Sequence, residues 1–178
     1  MEQLKMYWKN DGKEAKAPAL PEGMELVSFS KLPNAEKEWL DIMSYGSLLP
    51  DERDPEVNYY LDCMNLPYYS EDLCFFIKVG GKCAASVTAV CNPETREGLV
   101  HMVGCKPDFR GLGLGHLMSD VAIWAFKCEG METARLRTDD WRIPAIKTYL
   151  KVGFVPDLVS EPDYKERWDK IFEIVKNK

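Results

Sequence analysis

From Val103 to His116 the chain reads Val-Gly-Cys-Lys-Pro-Asp-Phe-Arg-Gly-Leu-Gly-Leu-Gly-His. An apolar run closes at Pro107, Arg110 follows, and glycine then occupies positions 111, 113 and 115. Glycine has no Cβ, so backbone N–H groups there can approach a ligand closely. The amphipathic pattern that follows predicts a helix, whose first N–H groups lack intrahelical partners and whose dipole is positive at that end. The combination suits a phosphate-bearing ligand. Two familiar phosphate loops are excluded by spacing. No G-x-x-x-x-G-K-[ST] run exists, and G-x-G-x-x-G fails because the sixth position is His116 counted from Gly111 and Met118 counted from Gly113.

The pattern that does fit is Arg/Gln-x-x-Gly-x-Gly/Ala, as Arg110-Gly111-Leu112-Gly113-Leu114-Gly115. Downstream, Ala145, Tyr149, Gly153 and Phe154 fit Asn-x-x-Ala-x-x-x-Tyr-x-x-x-Gly-Phe from the alanine onward. Between the two motifs lie one predicted helix and one predicted strand. In this order and spacing they resemble the GCN5-related N-acetyltransferase (GNAT) superfamily from about Leu99 to Pro156. Upstream, only the order of elements supports the resemblance.

The resemblance implies an enzyme that moves an acetyl group from acetyl-CoA to a primary amine by direct transfer in a ternary complex. It implies an α+β fold with a central, mostly antiparallel, splayed mixed sheet flanked by helices. The main chain of Val103, Gly104 and Cys105 would bind the pantetheine arm like an added strand. Arg110, Gly111, Leu112, Gly113, Leu114, Gly115 and the N–H of His116 would hold the diphosphate, mainly through main-chain donors, with Arg110 adding a permanent charge. Tyr149 would be the general acid, donating to the departing sulfur. The chain departs from the pattern at Arg142, where the family often has asparagine. That contact is not carried over. Arg142 either reaches a phosphate or is simply solvated, and the second reading is preferred.

The residues themselves leave other roles open. Gly104 suits a β-bulge, or is a small residue forced by packing. His101 borders the expected cleft and titrates near pH 6.5 when unperturbed, which suits a general base. A satisfied sheet histidine is the competing reading, and Glu97 or a water chain would serve instead. Cys105 as an acyl carrier is disfavoured, because no spacing supplies a partner base. By resemblance, Leu48 to Glu71 walls the acceptor site. Its Asp51, Glu52, Asp54 and Glu56, with Tyr59, Tyr60, Tyr68 and Tyr69, would receive a small cationic amine, or would form a solvated helix face with an apolar back. Asp139 and Asp140 are ambiguous in the same way. The acceptor is expected to be a small molecule or a peptide. A non-catalytic acyl-CoA-binding or sensing module on the same fold is the alternative function.

These groups need elements to position them. Leu4, Met6 and Trp8 alternate with Lys5, Tyr7 and Lys9 as in a strand, and residues 10–23 read as a loop. A strand is predicted over Glu25–Phe29 and a helix over Pro33–Ser44. A second helix opens at Asp54-Pro55 and runs to about Asn65. Strands Leu73–Val79 and Lys82–Cys91 flank Gly80-Gly81 as a tight hairpin. A strand Leu99–Cys105 follows, then a helix Leu114–Cys128 stopped by Gly130, a strand Glu132–Thr138, a helix Pro144–Val152, a strand Phe154–Val159 and a helix Tyr164–Val175.

The chain has 178 residues, 46% of them apolar, which suits one domain over 1–178, with an N-terminal arm and loop (1–23) and a C-terminal helix (161–178). The net charge of −6 disfavours nucleic acid as a partner. Six cysteines occur without a C-x-x-C pair, and only His101 and His116 could join them, so no metal is expected. The N-terminal residues lack a signal-peptide core and no run approaches the ~20 apolar residues of a membrane span. A cytoplasmic protein with reduced thiols, not membrane-bound, monomeric or homodimeric, is expected.

Overall fold

The computed structural model describes residues 2–46 and 57–176. The elements in chain order are β1 (Leu4–Lys9), β2 (Met24–Ser28), α1 (Ala35–Met43), α2 (Tyr59–Met64), β3 (Cys74–Val79), β4 (Lys82–Asn92), β5 (Glu97–Cys105), α3 (Leu114–Cys128), β6 (Thr133–Thr138), α4 (Ile143–Lys151), β7 (Val155–Pro156) and α5 (Tyr164–Lys176). The α+β expectation and most element positions hold within a residue or two. Gly80 and Gly81 both take positive φ, 56° and 81°, as a two-residue hairpin turn between β3 and β4 requires. Gly130, at φ 72°, follows the end of α3.

Two elements differ from expectation. The described part of the second helix is Tyr59–Met64, capped by Asn58, whose side chain accepts from the Leu61 N–H at 3.0 Å. Asp54 and Pro55, the expected start, lie outside the described residues. The predicted strand Phe154–Val159 shrinks to Val155–Pro156. Its ladder ends because the Asp157 side chain turns the chain, accepting from the N–H groups of Val159 and Ser160 at 3.0 Å each.

The strands form one sheet in the order β2-β3-β4-β5-β6-β1-β7, antiparallel throughout except for β5–β6. Helices cover both faces. On β3, Phe75 and Ile77 join a core shared with α3, α4 and α5, while Cys74 and Phe76 join one shared with α1 and α2. Small residues on β4, among them Ala84, Ala85, Ser86 and Ala89, are fully buried.

The parallel β5–β6 ladder is short. It pairs Glu97 with Thr133, Gly98 with Ala134 and Leu99 with Arg135, and then the strands diverge. On the other side of β5, Ser86 faces Gly104 but Thr88 faces His101, so two residues of β5, Met102 and Val103, lie opposite one of β4, Val87. The extra residue is a bulge centred on Met102, which takes φ 49°. The bulge expected at Gly104 is therefore two residues earlier. Gly104 is small because of packing: a Cβ there would lie 2.9 Å from both Ile42 Cγ2 and Met43 Sδ of α1.

Gly98 matters at the branch point. A Cβ on it would lie 2.5 Å from the ring of the fully buried Phe126. Gly98→Ala is expected to destabilise the protein by about 1–3 kcal/mol through overpacking. Urea denaturation checks this, and adding Phe126→Leu should recover part of the loss.

Candidate active site

The divergence of β5 and β6 leaves two adjoining cavities. The first, about 730 Å³, lies between the end of β5, the loop Phe109–Gly113, the start of α3 and the face of α4 carrying Ala145 and Thr148. Gly111 and Gly113 hold positive φ, 83° and 78°, which a side chain would resist. The first intrahelical bond of α3 runs from Leu117 N–H to Gly113 O at 3.1 Å. The N–H groups of Leu114, Gly115 and His116 thus precede it and have no helical acceptor. The Leu114 side chain is buried in the core, whereas Leu112 is half exposed, so both offer the loop mainly their main chain. Arg110 is exposed and its guanidinium lies 3.5 Å from the Tyr45 carbonyl. His116 Nε2 lies 3.5 Å from an Asp120 carboxylate oxygen, and its buried Nδ1 has no hydrogen-bond partner among the described residues. Orphan donors at a helix start, beside a strand edge that has lost its neighbour, fit a ligand with a diphosphate and an extended amide-bearing arm. Cys105 lines this cavity as a half-buried thiol. Burial pushes its pKa up despite Arg110 nearby, so it is a poor nucleophile.

Arg142 is not simply solvated. Its Nε lies 2.9 Å from Asp139 Oδ2, its Nη2 donates to the Gly46 carbonyl at 3.2 Å, and its guanidinium sits 4.7 Å from the Trp141 ring centroid. It lines both cavities. The two aspartates after β6 are also engaged. Asp139 accepts from Gln3 Nε2 at 3.1 Å, and Asp140 accepts from Arg167 Nε of α5 at 2.9 Å. Neither is a free carboxylate awaiting an amine. Arg167 and Gln3 were invisible to motif reasoning, because they meet their partners across 27 and 136 residues of chain with no local spacing to betray it.

The second cavity, about 560 Å³, lies on the other side of the splay and includes His101, Val103, Arg135, Arg137, Arg142, Ala145 and Tyr149. Tyr149 is 8% exposed, with its ring 6.1 Å from that of Phe154 in an edge contact. Burial, opposed by Arg142, pushes its pKa up to about 12, so the phenol holds its proton. His101 Nε2 lies 2.9 Å from the Cys63 carbonyl oxygen of α2. A carbonyl only accepts, so Nε2 carries the hydrogen and the neutral ring keeps its lone pair on Nδ1. Burial lowers the His101 pKa, with the Cys63 bond opposing, and this favours that neutral form. Glu97 is bound to Arg135 Nε at 3.1 Å, so it is not a free base.

Of the four tyrosines in the expected acceptor wall, Tyr60 belongs to the core and Tyr69 packs against it. Tyr60 stacks on Phe29 at 4.9 Å, meets Trp39 edge-on at 5.4 Å, and its hydroxyl lies 2.6 Å from that of Tyr69. Tyr59 is half-buried and Tyr68 is exposed. Asp51, Glu52, Asp54 and Glu56 lie outside the described residues.

The sequence profile of the acetyltransferase (GNAT) family matches residues 36–154, more than half of the chain. This chain belongs to the GNAT family. Mycothiol acetyltransferase of Streptomyces bingchenggensis is 26% identical over 138 residues, covering 77% of this chain and 44% of that protein. The enzyme of the same name from Streptomyces coelicolor is 25% identical, covering 81% and 47%. The chain thus spans less than half the length of these relatives. Among solved structures, a GCN5-related N-acetyltransferase from Sphaerobacter thermophilus superposes with a TM-score of 0.67 at 16% identity, covering 88% of this chain and 50% of that one. The ribosomal-protein-S18-alanine N-acetyltransferase from Escherichia coli gives 0.58 at 20%, covering 74% and 77%. These two likenesses show the shared fold.

In this GNAT chain, no cluster of three or more His, Cys, Asp or Glu among the described residues could hold a metal ion, and no described helix is long and apolar enough to cross a membrane. The chain has two histidines, which makes His101 directly observable. Its ring resonances in NMR should titrate with a midpoint below the ordinary 6.5. Because the folded pKa is depressed, the His101 contribution to stability is intact above pH 6.5 and declines as pH falls below it.

Proposed function

We propose that this GNAT chain transfers an acetyl group from acetyl-CoA to a primary amine by direct transfer in a ternary complex. The observation carrying this reading is that the two cavities share Val103, Arg142 and Ala145 across the splayed strands, with Tyr149 on the side away from the glycine loop. Family membership supports acetyl transfer in general. When bound, acetyl-CoA supplies a thioester carbonyl for the amine to attack.

The chain's own groups divide the remaining work. Main-chain donors from Gly111 to His116 hold the diphosphate, and Arg110 adds charge at the loop's exposed edge. Val103, Gly104 and Cys105 bind the arm along the edge of β5 that β6 leaves unpaired. Tyr149, a neutral phenol whose pKa burial raises further, gives a proton or hydrogen bond to the departing sulfur. His101 Nδ1 takes the proton that the amine loses, directly or through water. Much of the rate gain comes from holding amine and thioester side by side. Cys105, whose burial keeps it a thiol, carries no acyl group.

The test is thiol release from acetyl-CoA across a panel of primary amines, beside calorimetry with CoA. Tyr149→Phe is expected to cut kcat by about 10- to 1000-fold while CoA binding persists. An unchanged kcat removes Tyr149 from the chemistry. CoA binding without transfer to any amine identifies an acyl-CoA-sensing module instead, and no CoA binding at all overturns both.

A further inference from the structure

Three arginines, Arg135, Arg137 and Arg142, line the acceptor-side cavity of a protein whose net charge is −6. Two of them are engaged. Arg142 is held by Asp139 and the Gly46 carbonyl, and Arg135 by Glu97. Arg137 is exposed and has no ion pair or side-chain hydrogen bond among the described residues.

Strand geometry explains the placement. Side chains alternate along β6, so Ala134, Leu136 and Thr138 are buried while Arg135 and Arg137 share the opposite face. The antiparallel register with β1 sets Lys5 directly beside Arg137 and Tyr7 beside Arg135. Like charges opposite each other across a sheet repel. Glu161 answers only the Lys5 ammonium, at 3.5 Å. A smaller cavity of about 340 Å³, formed by Lys5, Tyr7, Glu97, Arg135, Leu136 and Arg137, adjoins the first through the shared side chains of β6. The result is a concave positive site with one unanswered guanidinium, on the same cavity as His101 and Tyr149.

We propose that Arg137, supported by Arg135 and Lys5, binds a carboxylate or phosphate on the acceptor, so that the acceptor is an amine that also carries an anionic group. A guanidinium fork matches either anion with two parallel hydrogen bonds. This deepens the transfer reading and rests on it for the word acceptor. It adds an anion-binding group to the two readings of residues 48–71, a receiver for a small cationic amine or a solvated helix face, whose Asp51, Glu52, Asp54 and Glu56 lie outside the described residues.

The test pairs probes that differ in the anion: glycine with glycinamide, and phosphoethanolamine with ethanolamine. Wild type should favour the anionic member of at least one pair, and which pair responds separates carboxylate from phosphate. Arg137→Gln, a change at an exposed side chain, should lower that preference by about 10- to 100-fold, chiefly through KM, the scale expected for losing a charge-assisted bond. Arg137→Lys should restore part of it. Calorimetry of the CoA-loaded protein with the anionic probes gives a readout independent of turnover. Transfer that proceeds with the neutral members preferred, or with a preference unmoved by Arg137→Gln, overturns the anion site and leaves the transfer reading standing. Arg137-dependent binding without thiol release does the reverse. Neither binding nor release overturns the site.

Discussion

The site depends on a ladder that stops. β5 and β6 pair over three residues each and then separate, so the backbone of β5 beyond Leu99 loses one neighbour. An unpaired backbone group needs a partner, and a strand edge inside a concavity invites an extended ligand to supply it. Two features shape β5 just beyond the ladder. Met102, held at positive φ, bulges the strand against β4, and α1 presses so closely on Gly104 that no Cβ fits. Where the ladder still holds, Gly98 and Ala134 are small, and Phe126 of α3 seals the junction.

The second constraint is the connection from β6 to α4. It carries Arg142, which lines both cavities, and contacts from three distant parts of the chain hold it in place. Gln3 reaches Asp139, Arg167 of α5 grips Asp140, and Arg142 returns to the carbonyl of Gly46 after α1. Charge-assisted bonds of this kind fix orientation more than they add net stability when partly buried. Their effect is to set the wall between the cavity at the glycine loop and the cavity lined by Tyr149 and His101.

Much of this was legible in residue types. Glycine at 111, 113 and 115, with the spacing of Ala145, Tyr149, Gly153 and Phe154, located the loop and the helix behind it, because turn geometry and helix starts are local properties. The hairpin at Gly80-Gly81 and the amphipathic face of α3 were legible for the same reason. The bulge was misplaced because a glycine is a better sequence sign of one than a methionine is, and only the register of β5 on β4 reveals Met102. Arg142 was misjudged because its partners lie on both sides of it in space, one of them at Gly46. Tyr60 and Tyr69 looked like a binding face, yet their hydroxyls meet each other while the Tyr60 ring stacks on Phe29.

By itself, the sequence determined where donors without partners must occur, which segments alternate as strands, and that a tyrosine follows the loop by one helix, one strand and part of a second helix. Those features follow from short-range sterics and from periodicity, which neighbouring residues set among themselves. Tertiary structure alone decided that the phenol of Tyr149 is buried and its pKa pushed up, that His101 spends its Nε2 hydrogen on Cys63, and that Arg137 is left with no counter-charge among the described residues while Arg135 and Arg142 are paired. Burial, proton placement and charge pairing depend on groups brought together from across the chain, so no spacing along it records them.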